Sequence, residues 1–137
     1  MRRRVHCAPL LALVALIAAL GVAGCGSSDK PEYCSQTDDL KGAVDDLKGD
    51  VTSANFGNVQ SDLATVESDA TGVVSSAKQD FPAQTTALEA AVTSLSTAVK
   101  DVPDSPSPQE LLQLAPFVAS AASAVQAFAN DTQSECD

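Results

Sequence analysis

Between residues 40 and 128 the apolar side chains recur at alternating intervals of four and three, and this spacing selects the backbone. An average period of 3.5 residues matches one face of an α-helix and conflicts with the two-residue alternation of a half-buried strand. Leu40, Val44, Leu47, Val51 and Ala54 mark a first helix over residues 35–54. After the turn-forming run 55–58, Val59, Leu63, Val66, Ala70, Val73 and Ala77 mark a second over 58–80, with Asn58 as its cap. Leu88, Val92, Leu95, Val99 and Val102 mark a third over about 83–101, entered through Pro82. The fourth opens on Ser107, Pro108, Gln109 and Glu110, a capping box with proline in the first turn. Its stripe is Leu111, Leu114, Val118, Ala121, Val125 and Phe128, reaching about residue 133. Pro116 lies within it and removes one ladder hydrogen bond, so a kink is expected there, not a break.

The pentapeptide Asp-Asp-Leu-Lys-Gly occurs at 38–42 and again at 45–49, which turns Leu40 and Leu47 inward and Gly42 and Gly49 outward. Each glycine costs about 1 kcal/mol relative to alanine in a helix interior. Either the positions are plain surface or they admit a second backbone. The aspartate pairs lack the ligand spacing of a calcium loop and read as a solvated face. Helix 4 departs from even amphipathicity, because Leu112, Phe117, Ala122 and Ala129 flank its main stripe. That excess either buries against the other helices or presents a face to a partner.

Ahead of the helices, Arg2, Arg3 and Arg4 precede thirteen apolar residues from Leu10 to Val22, and small residues follow. This is the make-up of a secretory signal, too short for the ~20 apolar residues that a membrane-spanning helix needs. Val22, Ala23, Gly24 and Cys25 resemble the lipobox of bacterial lipoproteins. The resemblance implies cleavage between Gly24 and Cys25, removal of residues 1–24 and a diacylglyceryl group on the Cys25 sulfur. Two acyl chains anchor stably, each buried CH₂ contributing ~0.8 kcal/mol. The rival is simple secretion with Cys25 unmodified. General export is preferred over the twin-arginine route, whose fuller pattern is missing. The Ala-, Asp- and Thr-rich body resembles small helical lipoproteins of actinobacterial type, which implies the outer face of the cytoplasmic membrane or the cell wall.

On that reading the mature chain keeps five lysines against all 18 acidic residues, a formal charge of −13. Nucleic acid and anionic headgroups are then disfavoured partners. Cys7 leaves with the signal and Cys25 carries lipid, so Cys34 and Cys136 remain to form one disulfide. Residues 25–33 form a lipidated flexible tether, its stretch 26–32 reaching at most about 25 Å, and 34–137 form the domain. The expected fold is all-α: an antiparallel up-down-up-down four-helix bundle with one disulfide, preceded by a cleaved signal peptide. In that topology Cys34 and Cys136 meet at one pole. Phe81 and Phe128 plug the core near that pole, and Phe56 and Phe117 plug the other end.

Catalytic equipment is sparse. His6 and every arginine leave with the signal. Ser75 stands near Lys78 without the companion motifs of a Ser-Lys hydrolase, and Glu67 and Asp69 point to different sides of their helix. Glycine-rich phosphate loops and zinc spacings are missing. The expectation is therefore no catalytic residue, no metal and no cofactor. The chain reads as a membrane-anchored, extracytoplasmic, non-catalytic interaction or structural module. Its partners would be the membrane, through Cys25, and an envelope protein. The alternative is a carrier that opens around Pro116 to hold a lipid or other apolar ligand.

Overall fold

A computed structural model describes residues 30–137. The expected signal segment 1–24, the expected lipidation site Cys25 and most of the expected tether 25–33 lie outside the described residues. The described chain is all-helical, in the order α1 (Glu32–Thr52), α2 (Phe56–Ala77), α3 (Pro82–Lys100), α4 (Pro108–Leu112) and α5 (Ala115–Cys136). Helix α1 packs on α2 and α5, and α3 packs on the same two; the short α4 touches α1.

The stripes form the core. Every expected apolar position of α2 and of the α4–α5 segment is buried, as are Leu40, Val44, Leu47 and Val51 of α1 and Leu88, Val92, Leu95 and Val99 of α3. Threonine and serine extend the same stripes at Thr37, Thr85, Ser96 and Thr132. A buried hydroxyl costs free energy unless it is bonded. Thr37, Thr85 and Thr132 each donate to the carbonyl four residues earlier, at 2.6, 2.9 and 2.9 Å, which makes them tolerable substitutes for valine.

The repeat glycines behave as surface, with nothing within 4 Å of a Cβ placed at Gly42 or Gly49. At Gly72 of α2 a Cβ would lie 3.5 Å from the Gln36 side chain of α1, an ordinary contact distance. Gln36 is held there by the Ser76 hydroxyl, which donates to its Oε1 at 2.6 Å.

Four local expectations need correction. Helix α1 begins at Glu32, three residues early, because Tyr33 is not tether but core, only 4% exposed. At its other end Ala54 is outside the helix. Its φ of 57° is left-handed, and the Asn55 N–H to Asp50 O (2.9 Å) and Ala54 N–H to Val51 O (3.3 Å) bonds close a Schellman turn. Helix α2 then starts after Asn55, not at Asn58, and Asn55 gives no side-chain cap; its Nδ2 donates to Asp50 Oδ1 at 3.4 Å.

The fourth correction concerns Pro116. The helix does not merely kink; the ladder is interrupted at Gln113 and Leu114, and α5 starts afresh with Pro116 in its first turn. Both interrupting residues keep right-handed angles and bond three residues back, to Glu110 and Leu111. A proline without an N–H fits a first turn better than an interior. The capping box at the start of α4 forms as expected, with Glu110 N–H donating to Ser107 Oγ at 3.3 Å and Ser107 N–H to Glu110 Oε2 at 2.7 Å.

A left-handed alanine carries roughly 1–2 kcal/mol that glycine avoids. Ala54→Gly is therefore expected to raise unfolding free energy by about 1 kcal/mol, read as a shifted urea midpoint at constant slope. Destabilisation of that size would contradict the Schellman geometry.

At one end of the molecule Cys34 and Cys136 are bonded, with Cα atoms 5.6 Å apart. The first turn of α1 and the last turn of α5 are thereby joined. Beside them Tyr33, Phe81 and Phe128 form a three-ring cluster with centroids 5.7 to 6.2 Å apart, all edge-to-face. The expected Phe81 and Phe128 plug is present, and Tyr33 completes it. Phe56 packs against the core. Phe117 does not plug the other end: its ring is 40% exposed, one position off the buried stripe through Val118.

Candidate interaction surface

Charge is segregated between pairs of helices. Nine of the 18 acidic residues lie in α1 and α2, whereas α3 carries only Glu89 and α5 only Asp131 and Glu135, in its last two turns. From residue 111 to residue 130 the chain has no charged side chain at all. The stretch Pro108–Cys136 is long and apolar enough to cross a membrane by length and composition alone, yet its stripe serves as core.

The position of each residue follows from helical geometry. On α3, Glu89 and Lys100 line the groove toward α2, which leaves Ala83, Ala87, Ala90 and Ser94 exposed on the rest of its outer surface. On α5, Ala122, Gln126, Ala129 and Gln133 border α1. Phe117 borders α3 beside Ala98, Asp101 and Val102, with Glu110 lining the same depression, and Ser120, Ser123, Ala127 and, one turn further on, Asp131 are exposed. Together α3 and α5 present a broad face of alanine and serine with Phe117 at one end. Leu112 on α4 is 53% exposed. An isolated exposed leucine needs no explanation, but a two-helix face with acids only at its ends, Asp101 and Glu110 beside Phe117 and Asp131 beyond Ala127, stands apart from the rest of so acidic a body.

The α1–α2 side is the opposite. Asp62 of α2 sits against Asp50 and Asp46 of α1, and Asp69 against Asp39. Burial raises the Asp62 pKa first, and the Asp50 carboxyl and the Asp50 and Asp46 charges raise it further. Asp69 is raised by burial and then by Asp39. The Asp62 Oδ2 is buried with no hydrogen-bond partner; a proton on the pair turns the approach to Asp50 into a hydrogen bond. Among the described residues no group of three potential ligands is placed to hold a metal ion.

These raised acids set a pH dependence. A carboxyl whose folded pKa exceeds its unfolded value binds more protons when folded, so its destabilisation is complete above the folded pKa and fades as pH falls toward about 4. Thermal stability is expected to rise as pH falls from 7 toward about 4. Asp62→Asn should lift Tm at pH 7 by a few degrees, on the order of 1 kcal/mol or less for a partly exposed group, and flatten that rise. Glu110 runs the other way, held low by the Ser107 backbone N–H and hydroxyl, and opposes this slope as pH nears 4. An unchanged pH profile in Asp62→Asn would remove the acidic pair from the account.

The concavities are open grooves. The larger, about 1030 Å³ between α2 and α3, is lined by threonines and serines with Lys78, Lys100, Glu67 and Glu89. A second, about 790 Å³, runs between α1 and α5 beside the disulfide and is likewise polar. Of the expected site residues, Cys34 and Cys136 are brought together; Gly24 and Cys25 lie outside the described residues. Ser75 and Lys78 both line the α2–α3 groove, and Lys100 there stands 4.0 Å from Glu67. Sequence reasoning singled out the apolar excess of helix 4 but missed the contribution of α3. The signal was available: 82–99 contains one charge, against six acids in 32–52. No protein-family model, curated protein or solved structure matches this chain.

Proposed function

We propose that this chain is a lipid-anchored, extracytoplasmic contact module of the cell envelope, without catalytic function, held through Cys25 on the outer face of the cytoplasmic membrane after loss of residues 1–24. Its long helices α1, α2, α3 and α5 would run alternately up and down. Turns of three residues (53–55) and four residues (78–81) favour antiparallel neighbours. The observation that carries the reading is the charge-poor α3–α5 face, with acids only at its ends, on a strongly acidic body. The Cys34–Cys136 disulfide supports export, because such bonds persist in oxidising compartments.

The distance from the anchor favours contact with protein over contact with lipid. Phe117 and Cys136 are 19 residues apart along α5, roughly 28 Å at 1.5 Å per residue, and the tether enters at the Cys136 end. Treatment of intact cells with a lysine-reactive crosslinker, followed by purification in several detergents, is expected to recover the chain in adducts of higher mass. Recovery of the uncrosslinked chain alone would sink the contact-module reading. A discrete bound lipid beyond the anchor, seen by native mass spectrometry, would replace it with the carrier reading.

A further inference from the structure

We infer that the hollow beside Phe117, at the end of the molecule away from the disulfide, receives an arginine side chain of the protein partner. The inference rests on the contact-module reading and names the chemistry of what is contacted. Phe117, Ala98, Val102 and Leu114 supply an apolar wall, and Asp101 and Glu110 line the same depression. At about 270 Å³ it is smaller than the ~300–1,000 Å³ of small-molecule pockets and suits one long side chain. Phe117 is 40% exposed there, and the electron-rich face of an aromatic ring attracts a cation. An apolar wall that ends in carboxylates matches a side chain with an apolar stem and a charged head. Arginine fits both halves, since its planar guanidinium stacks on rings and pairs with carboxylates through two parallel hydrogen bonds.

The charge at this hollow is not answered from within the fold. Among the described residues the ion pairs are Lys41 with Asp38 and Lys100 with Glu67, so neither Asp101 nor Glu110 is paired. Lys100 adjoins Asp101 in the chain but lines the groove toward α2. Residues 101 to 137 contain no basic side chain, so the field about the hollow is one-signed and draws in a cation. Helix stability does not account for Asp101 either. It is the C-cap of α3, where the negative end of the helix dipole disfavours a carboxylate. Glu110 is different, because its Oε2 closes the capping box with Ser107, which also keeps the carboxyl ionised.

The test uses the full chain purified from its own membranes, with 4-fluorophenylalanine placed at Phe117, and at Phe81 beside the disulfide as a control. Titration with the peptide acetyl-Gly-Arg-Gly-amide is expected to shift the Phe117 fluorine signal saturably in the millimolar range and to leave the Phe81 signal in place. The same peptide with uncharged citrulline for arginine should bind at least roughly threefold more weakly, as should the arginine peptide to Asp101→Asn. Glu110 is left intact because the capping box needs it. No Phe117 shift up to about 50 mM peptide, equal affinity for the citrulline peptide, or unchanged affinity in Asp101→Asn would each overturn the inference. In intact cells Asp101→Arg is expected to cut the yield of lysine-crosslinked adducts at least roughly fivefold with helical circular dichroism unchanged. Undiminished adducts would overturn the hollow as the place of contact while leaving the contact-module reading standing. Absence of adducts from the wild-type chain would remove that reading, and the inference with it.

Discussion

Replacing Cys34 and Cys136 together by serine is expected to lower the unfolding free energy by roughly 4 to 5 kcal/mol. The bond joins positions 102 residues apart. In the chain-entropy account a crosslink closing a loop of about 100 residues removes near 4.7 kcal/mol of freedom from the unfolded chain. Native strain does not offset this if the ends of α1 and α5 are held together by packing as well, and the Tyr33, Phe81 and Phe128 cluster supplies that packing. The loss is a large fraction of a domain stability of about 5–15 kcal/mol. It matters here because valine- and threonine-rich helices have modest intrinsic propensity and depend on tertiary contacts. Urea titration of the oxidised wild type against the double serine variant measures it directly. A loss below about 1 kcal/mol would mean that the unfolded chain is already compact without the crosslink.

Truncating Phe128 is the second large effect. Its side chain is the bulkiest of the fully buried ones, 1% exposed, and lies 6.2 Å from the Tyr33 ring and 6.0 Å from the Phe81 ring. Phe→Ala at such a site costs about 3–5 kcal/mol, the transfer term plus the cavity left behind. The neighbouring Tyr33 and Phe81 rings sit beside the crosslinked ends of α1 and α5, so collapse into the space is limited. Phe117→Ala provides the internal contrast: at 40% exposure it should change monomer stability by no more than about 0.5 kcal/mol. Comparable losses at the two positions would show that Phe117 is buried in solution. Because Phe128 and the disulfide share one end of the molecule, their effects should not add simply. Combining all three substitutions is expected to leave the chain largely unfolded at 25 °C.

The helical pattern was legible because burial follows period and little else: alternation of four and three located twelve of the core valines and leucines of α1, α2 and α3 without any contact being known. Tyr33 and Thr37 continue that rhythm upstream of Leu40, at intervals of four and three, and the tether composition masked it. The left-handed Ala54 was not legible, since the residue usually found there is glycine. Pro116 was misplaced by assuming a single long helix, when its missing N–H fits the start of a new one. The Asp62 and Asp50 pair joins two helices across 12 positions, so only packing reveals it. For the candidate surface the case is reversed. The low charge of α3 and α5 is plain in the sequence, but their adjacency is a property of the fold, and only adjacency turns two polarity biases into one face.

The central claim is a body stapled by Cys34 and Cys136 and anchored through a lipidated Cys25, and the intact mass of the protein extracted from its own membranes tests it most directly. The account predicts a chain that starts at Cys25, carries a diacylglyceryl group and lacks the two hydrogens of the Cys34 and Cys136 thiols. The mass of the uncut 137-residue chain, or of a cut chain with an unmodified Cys25, would contradict it.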